Sequence, residues 1–124
     1  MTPTAIKLKK TDNQLHLTYK DASYDLSAEY LRVLSPSAEV RGHSSDQAQL
    51  QVGKKYVKIT GVEAVGHYAV KLTFDDGHDS GIYAWDYLYD LCINQSQHWQ
   101  VYIQALDNQQ QSRDPHESVV QIMG

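Results

Sequence analysis

The chain has 124 residues, of which 41% are hydrophobic and 21% charged, the size and composition of one globular domain. A lone cysteine, Cys92, excludes an internal disulfide and any cysteine-based zinc ribbon, and no apolar run approaches the roughly 18 residues of a membrane-spanning helix. The opening MTPTAIKLKK places its lysines after a short apolar pair, not before an apolar run as a secretory signal does, so a cytoplasmic protein without membrane contact is expected.

Charge is unevenly divided. Residues 1–62 carry nine Lys and Arg against six Asp and Glu, whereas residues 63–124 carry two against nine. The net charge of −4 opposes sequence-independent nucleic-acid binding, which is supplied by many phosphate contacts from Lys and Arg. The group Lys54, Lys55 and Lys58 reads as a solvated strand end.

From Ala5 to Leu26 apolar and polar residues alternate: Ile6 and Leu8, then Leu15, Leu17 and Tyr19, separated by the polar turn Thr11-Asp12-Asn13. This predicts a hairpin with a short third strand near Tyr24–Leu26. Ser27 is a helix N-cap, Glu29 suits the first turn, and Ala28–Leu34 forms a short helix that Pro36 stops. Residues 35–53, rich in Ser, Gln and Gly, read as a long irregular connection, a length that in a small domain usually carries function. Val57 and Ile59 begin a further strand, and Tyr68, Val70, Leu72 and Phe74 mark one face of the next, joined by a turn at Gly66-His67. Asp75-Asp76-Gly77 makes a tight turn into a short strand, Gly81–Tyr83. The period then changes: Trp85, Leu88, Tyr89 and Cys92, followed by Trp99, Tyr102, Ile103 and Leu106, predict two amphipathic helices. From Asn108 onward a polar, Gln-rich tail is expected to be flexible. Strands followed by helices indicate an α+β single domain, an antiparallel β-sheet with helices packed on one face, over residues 1–107.

Signatures of metal and nucleotide chemistry are missing. None of the six histidines is followed two places on by an acidic residue, and neither a His-Glu-x-x-His helix nor a glycine-rich phosphate loop occurs. The densest polar segment, Asp75–Gly81, offers His78 as a ligand or base, with Asp75, Asp76 or Asp79 to orient it and Ser80 as a nucleophile, yet turn formation alone accounts for every residue there except His78. Arg41 and His43 on the long connection form a second candidate, an Arg-His pair able to hold a carboxylate or phosphate.

The segments YLRVLSPSAEVRGH (30–43) and FDDGHDSGIYAWDYLYDL (74–91) together resemble the γ-butyrobetaine hydroxylase-like N-terminal domain, known in bacteria as the stand-alone domain of unknown function DUF971. The resemblance spans roughly residues 5–95. Similar domains precede the catalytic domain of carnitine-pathway dioxygenases and are appended to plastid iron–sulfur carrier proteins. In the hydroxylase version three cysteines and one histidine bind a structural zinc. The matching positions here are Ser35, Ser37, Val40 and His78, so the resemblance implies that the zinc site is lost and that only His78 remains of it. It also implies that His43 and His78 approach each other, forming a pocket of Arg41, His43, Asp76 and His78 for an anion or a weakly held metal.

The reading is therefore a non-catalytic accessory domain with an unidentified protein partner, linked through its relatives to iron–sulfur or iron-enzyme biology, and without a cofactor. A small-ligand or metal-binding protein using His43 and His78 is the second reading. A hydrolase centred on His78 and Ser80 is the third.

Overall fold

Asn13 takes a left-handed backbone (φ 54°) that closes the first hairpin, and its side-chain amide donates to the Val57 carbonyl at 2.7 Å, tying this turn to a segment 44 residues away. A computed structural model of the chain describes residues 1–41 and 49–116. Strands β1 (Ala5–Lys9), β2 (Gln14–Thr18) and β3 (Ser23–Ser27) form one antiparallel meander. The two-residue alternation buries Leu15, Leu17 and Leu26, while His16 pairs across to Asp25 (2.7 Å) on the outer face.

Helix α1 (Ala28–Val33) starts where Ser27 Oγ accepts the Tyr30 N–H. It is too short to satisfy its own C-terminal carbonyls, and phenols from later elements do so: Tyr83 donates to the Leu31 carbonyl and Tyr87 to that of Leu34. A single turn, α2 (Ala38–Arg41), follows. Strands β4 (Ile59–Val65), β5 (Ala69–Phe74) and β6 (Gly81–Ala84) form a second antiparallel sheet, and helices α3 (Trp85–Ile93) and α4 (Gln95–Asn108) complete the fold. One core joins both sheets to α1 and α3, with Leu31, Leu72, Phe74, Tyr83, Leu88 and Leu91 at its centre. A smaller cluster of Val33, Tyr102 and Leu106 seats α4.

The architecture is α+β, with several departures from the expectations above. The strands divide into two three-stranded sheets instead of one, because alternation reports which face a side chain takes and not which strand lies beside it. Tyr68 is 61% exposed, since it belongs to the β4–β5 turn and not to the inward row of β5. Ile103 is exposed and Leu91 takes a core position. The stretch from residue 35 contains α2.

The segment expected to fray after Asp107 is anchored as far as it is described. Helix α4 runs to Asn108, and Ser112 and Arg113 accept backbone bonds from Gly53 and Lys55. The Arg113 guanidinium grips both carboxylate oxygens of Glu29 (2.8 and 2.7 Å) and lies 5.1 Å from the centre of the Trp99 ring. Glu29 is a buried carboxylate, and a buried charge demands such a partner.

Candidate functional site

The β5–β6 turn is held from several directions. Gly77, with φ 89°, supplies a backbone that L side chains rarely adopt. Asp75 exchanges bonds with Lys58: its N–H donates to the Lys58 carbonyl, and its Oδ1 accepts the Lys58 N–H, both at 2.9 Å. Asp76 Oδ1 accepts the His78 backbone N–H at 3.2 Å. Its Oδ2 accepts from Arg32 Nε at 2.8 Å and Lys54 Nζ at 2.6 Å. Burial alone raises the pKa of this carboxyl, but the Lys54, His78 N–H and Arg32 hydrogen bonds together outweigh it and hold the pKa at about 2. Arg32 lies inside the domain, with Nη1 buried and without a hydrogen-bond partner, so its charge depends on the Nε–Asp76 contact.

This geometry turns the His78 ring inward. The residue is 5% exposed, and its Nε2 lies 2.8 Å from Ser35 Oγ and 3.4 Å from Ser37 Oγ. Ser35 is fully buried, and its Oγ also accepts the Ser37 N–H at 3.4 Å. Gly81 opposes it: a Cβ there would stand 2.8 Å from Ser35 Oγ and 3.1 Å from the Tyr83 ring. Only glycine allows the β6 backbone to approach this closely.

On the other side of Ser35 a groove of about 1100 Å³ opens between the α1–α2 segment and helices α3 and α4. Val33, Pro36, Val40, Leu50 and Ala105 supply apolar wall. Several of its polar groups are engaged within the domain. Tyr102 donates its hydroxyl to the Gln51 carbonyl at 2.7 Å, Arg41 lies 5.3 Å over the Tyr87 ring, and Asp90 accepts from Asn94 (2.7 Å) while lying 2.8 Å from His98 Nε2. Those contacts, Asn94 first and His98 next, hold the Asp90 carboxyl below its usual range. Cys92 is buried, and burial pushes its thiol up to about 11, which leaves it protonated and unreactive near neutral pH.

The residues singled out from the sequence divide into two places. Asp76 and His78 share the β5–β6 turn, whereas Arg41 lies on the groove. His43 lies outside the described residues. Ser35 and Ser37 converge on His78, and Val40 is buried along the groove wall. As a donor set these positions offer one imidazole, two hydroxyls and an alkyl group, which does not fit a structural zinc built on thiolates or on imidazoles with carboxylates. The hydroxyl at His78 is Ser35, not Ser80. Ser80 stays exposed because residues 78–80 are not yet strand and do not alternate with β6. Sequence reasoning missed Arg32, Lys54 and Gly81. An arginine on an otherwise buried helix was the one signal for the first, since such a residue needs a carboxylate.

Residues 6–89 match the family model described as gamma-butyrobetaine hydroxylase-like, N-terminal. Among solved structures, one determined by NMR in solution is 53% identical over 98% of this chain and 97% of that one, with a TM-score of 0.84. A second, also by NMR, is 43% identical over 99% and 93%, with a TM-score of 0.77. A crystal structure of a protein of unknown function in the DUF971 family, from Acidithiobacillus ferrooxidans, is 35% identical over 73% of this chain and 91% of that one, with a TM-score of 0.61. No curated protein matches.

Proposed function

We propose that this chain, which belongs to the γ-butyrobetaine hydroxylase-like N-terminal family, is a non-catalytic accessory domain that docks an apolar segment of a protein partner in the groove between α1–α2 and α3–α4. The observation that carries the reading is the state of the groove's polar groups. Tyr87, Tyr102 and Asp90 hydrogen-bond within the domain and Arg41 lies over the Tyr87 ring, so these four groups are occupied within the domain, and the apolar wall of Val33, Pro36, Val40, Leu50 and Ala105 is what the groove offers a partner. Ser35 and His78, an alcohol and an imidazole within hydrogen-bond reach, are buried and hold the groove floor to the β5–β6 turn. The partner class we propose is an iron- or iron–sulfur-handling protein, the company that similar domains keep.

The small-ligand reading built on Arg41, His43, Asp76 and His78 is weaker, because Asp76 is held by Arg32 and Lys54 and Arg41 sits apart on the groove. A photo-crosslinking residue at Ala38, on the groove rim, tests the docking reading in native lysate. One recurrent partner captured from Ala38 but not from Lys7 on β1, and lost in Ala105→Glu, is the expected result. Equal capture from both positions, or capture indifferent to Ala105→Glu, overturns it.

A further inference from the structure

Glu29 and Trp99 form a cage built on two helices. Glu29 projects from α1, and the Trp99 ring on α4 is fixed by Tyr30 (ring centres 6.3 Å apart, planes at 63°) and by Tyr102 (5.3 Å). What fills the cage comes from residues 111–116, which form neither helix nor strand. The Arg113 guanidinium meets both Glu29 oxygens with Nε and Nη2 and lies over the Trp99 ring. The carbonyls of Ser112 and Arg113 accept the N–H groups of Gly53 and Lys55. Host and guest differ in access: the Glu29 side chain is 8% exposed and that of Arg113 37%, so the guanidinium covers the carboxylate from the solvent side. Beside it a cavity of about 370 Å³ reaches Glu29, Tyr30 and Trp99, a volume in the range of small-ligand sites.

We propose that this cage is a receptor for an arginine carried on an extended segment: Arg113 fills it within the chain, and an arginine of another protein takes its place. The host sets the ligand's chemistry. A planar guanidinium fork matches a carboxylate with two parallel hydrogen bonds and stacks on an indole, whereas the compact ammonium of lysine does not reproduce that pair of contacts. The N–H groups of Gly53 and Lys55 offer an incoming backbone the bonds they now give to Ser112 and Arg113. An occupant tethered to the same chain acts at an effective concentration on the order of millimolar. A free arginine therefore competes poorly with Arg113, and a segment that adds backbone bonds competes better. The cavity shares no lining residue with the partner groove, so this site and the docking reading stand or fall separately.

Titration of full-length Arg113→Ala, read by the Trp99 indole signal in NMR, tests the proposal. N-acetylargininamide is expected to bind saturably and shift the Trp99 signal. The Trp85 indole, which donates to the His67 carbonyl, is expected to stay unchanged. N-acetyllysinamide is expected to bind at least about tenfold more weakly, and a peptide of residues 110–116 at least about tenfold more tightly than N-acetylargininamide. Arg113→Ala/Glu29→Gln is expected to bind none of them. If Arg113→Ala does not fold, Arg113→Lys takes its place in the same titrations. In the unsubstituted chain the peptide is expected to bind more weakly than in the variant, because Arg113 competes, and at millimolar concentration to displace the Arg113 Nε–H signal. The proposal is overturned by any of four results: no saturable binding of N-acetylargininamide, a peptide that binds no more tightly than it, equal binding of the lysine compound, or binding retained without the Glu29 charge. An Arg113 signal left in place by millimolar peptide overturns it as well.

Discussion

Ser35 Oγ and His78 Nε2 lie 2.8 Å apart although 43 positions separate them in the chain. The contact ties the loop after α1 to the turn before β6, and Gly81 and Tyr83 close around it. Ser35→Ala removes the hydroxyl 2.8 Å from the buried imidazole nitrogen and is expected to cost about 1–3 kcal/mol. Urea unfolding of Ser35→Ala, His78→Ala and the double variant measures the coupling. Strictly additive losses would show that the two side chains do not act together. Gly81→Ala, which drives a methyl into Ser35 Oγ, is expected to cost about 1–3 kcal/mol by overpacking.

Asp76 makes stability depend on acid. Its carboxyl titrates at about 2 in the folded chain against 3.8 without the fold. A depressed carboxyl contributes stability that is fully present above the unfolded value and is lost as pH falls through the folded one. Asp76→Asn is expected to lower stability at neutral pH by about 1–3 kcal/mol, because it leaves the buried Arg32 charge without its carboxylate, and to flatten the loss between pH 3.8 and about 2. Unfolding followed at a series of pH values checks both. An unchanged acid limb in Asp76→Asn would count against this pairing.

Much of this arrangement was legible in local pattern. Leu15 and Leu17 alternate, Ser27 caps, and the spacing of Leu88 and Cys92, then of Tyr102 and Leu106, marks two helices, because each signal depends on neighbours within one or two turns. The site depends on distant pairs. Arg32 meets Asp76 across 44 positions, and Arg113 meets Glu29 across 84. No periodicity encodes such pairings. The convergence of Ser35 and Ser37 on His78 was anticipated through the family resemblance, whereas Tyr83 and Tyr87 read as core aromatics without any indication that their hydroxyls would satisfy the end of α1.

Zinc is expected to leave the protein unaffected. Among the described residues the hydroxyls of Ser35 and Ser37 reach the His78 ring, and no group of three or more His, Cys, Asp or Glu side chains that could hold a metal ion occurs; neutral hydroxyls compete poorly with water for the ion. Chelator is expected to leave the melting temperature unchanged, as is added zinc. Elemental analysis of gently purified, untagged protein showing about one zinc per chain, with a fall in melting temperature on chelation, would contradict this.

The last prediction concerns the segment after α4. Glu29 is buried within α1, and both of its carboxylate oxygens accept from Arg113. Arg113→Ala removes two charge-assisted hydrogen bonds and the stack on Trp99, and it leaves the carboxylate buried without that partner. Such a loss is expected to cost about 3–5 kcal/mol, reduced to the extent that water reaches the partly exposed guanidinium site. Arg113→Lys keeps the charge but loses the two-pronged geometry, so it is expected to recover only part of the loss. Removing Glu29's charge at the same time separates a specific pair from general disruption: in Arg113→Ala/Glu29→Gln the buried carboxylate is gone, and the double variant is expected to be more stable than Arg113→Ala alone. Thermal and urea unfolding of the four proteins checks the order. If Arg113→Ala unfolds like the unsubstituted chain, the segment that carries Arg113 does not hold α1 in solution.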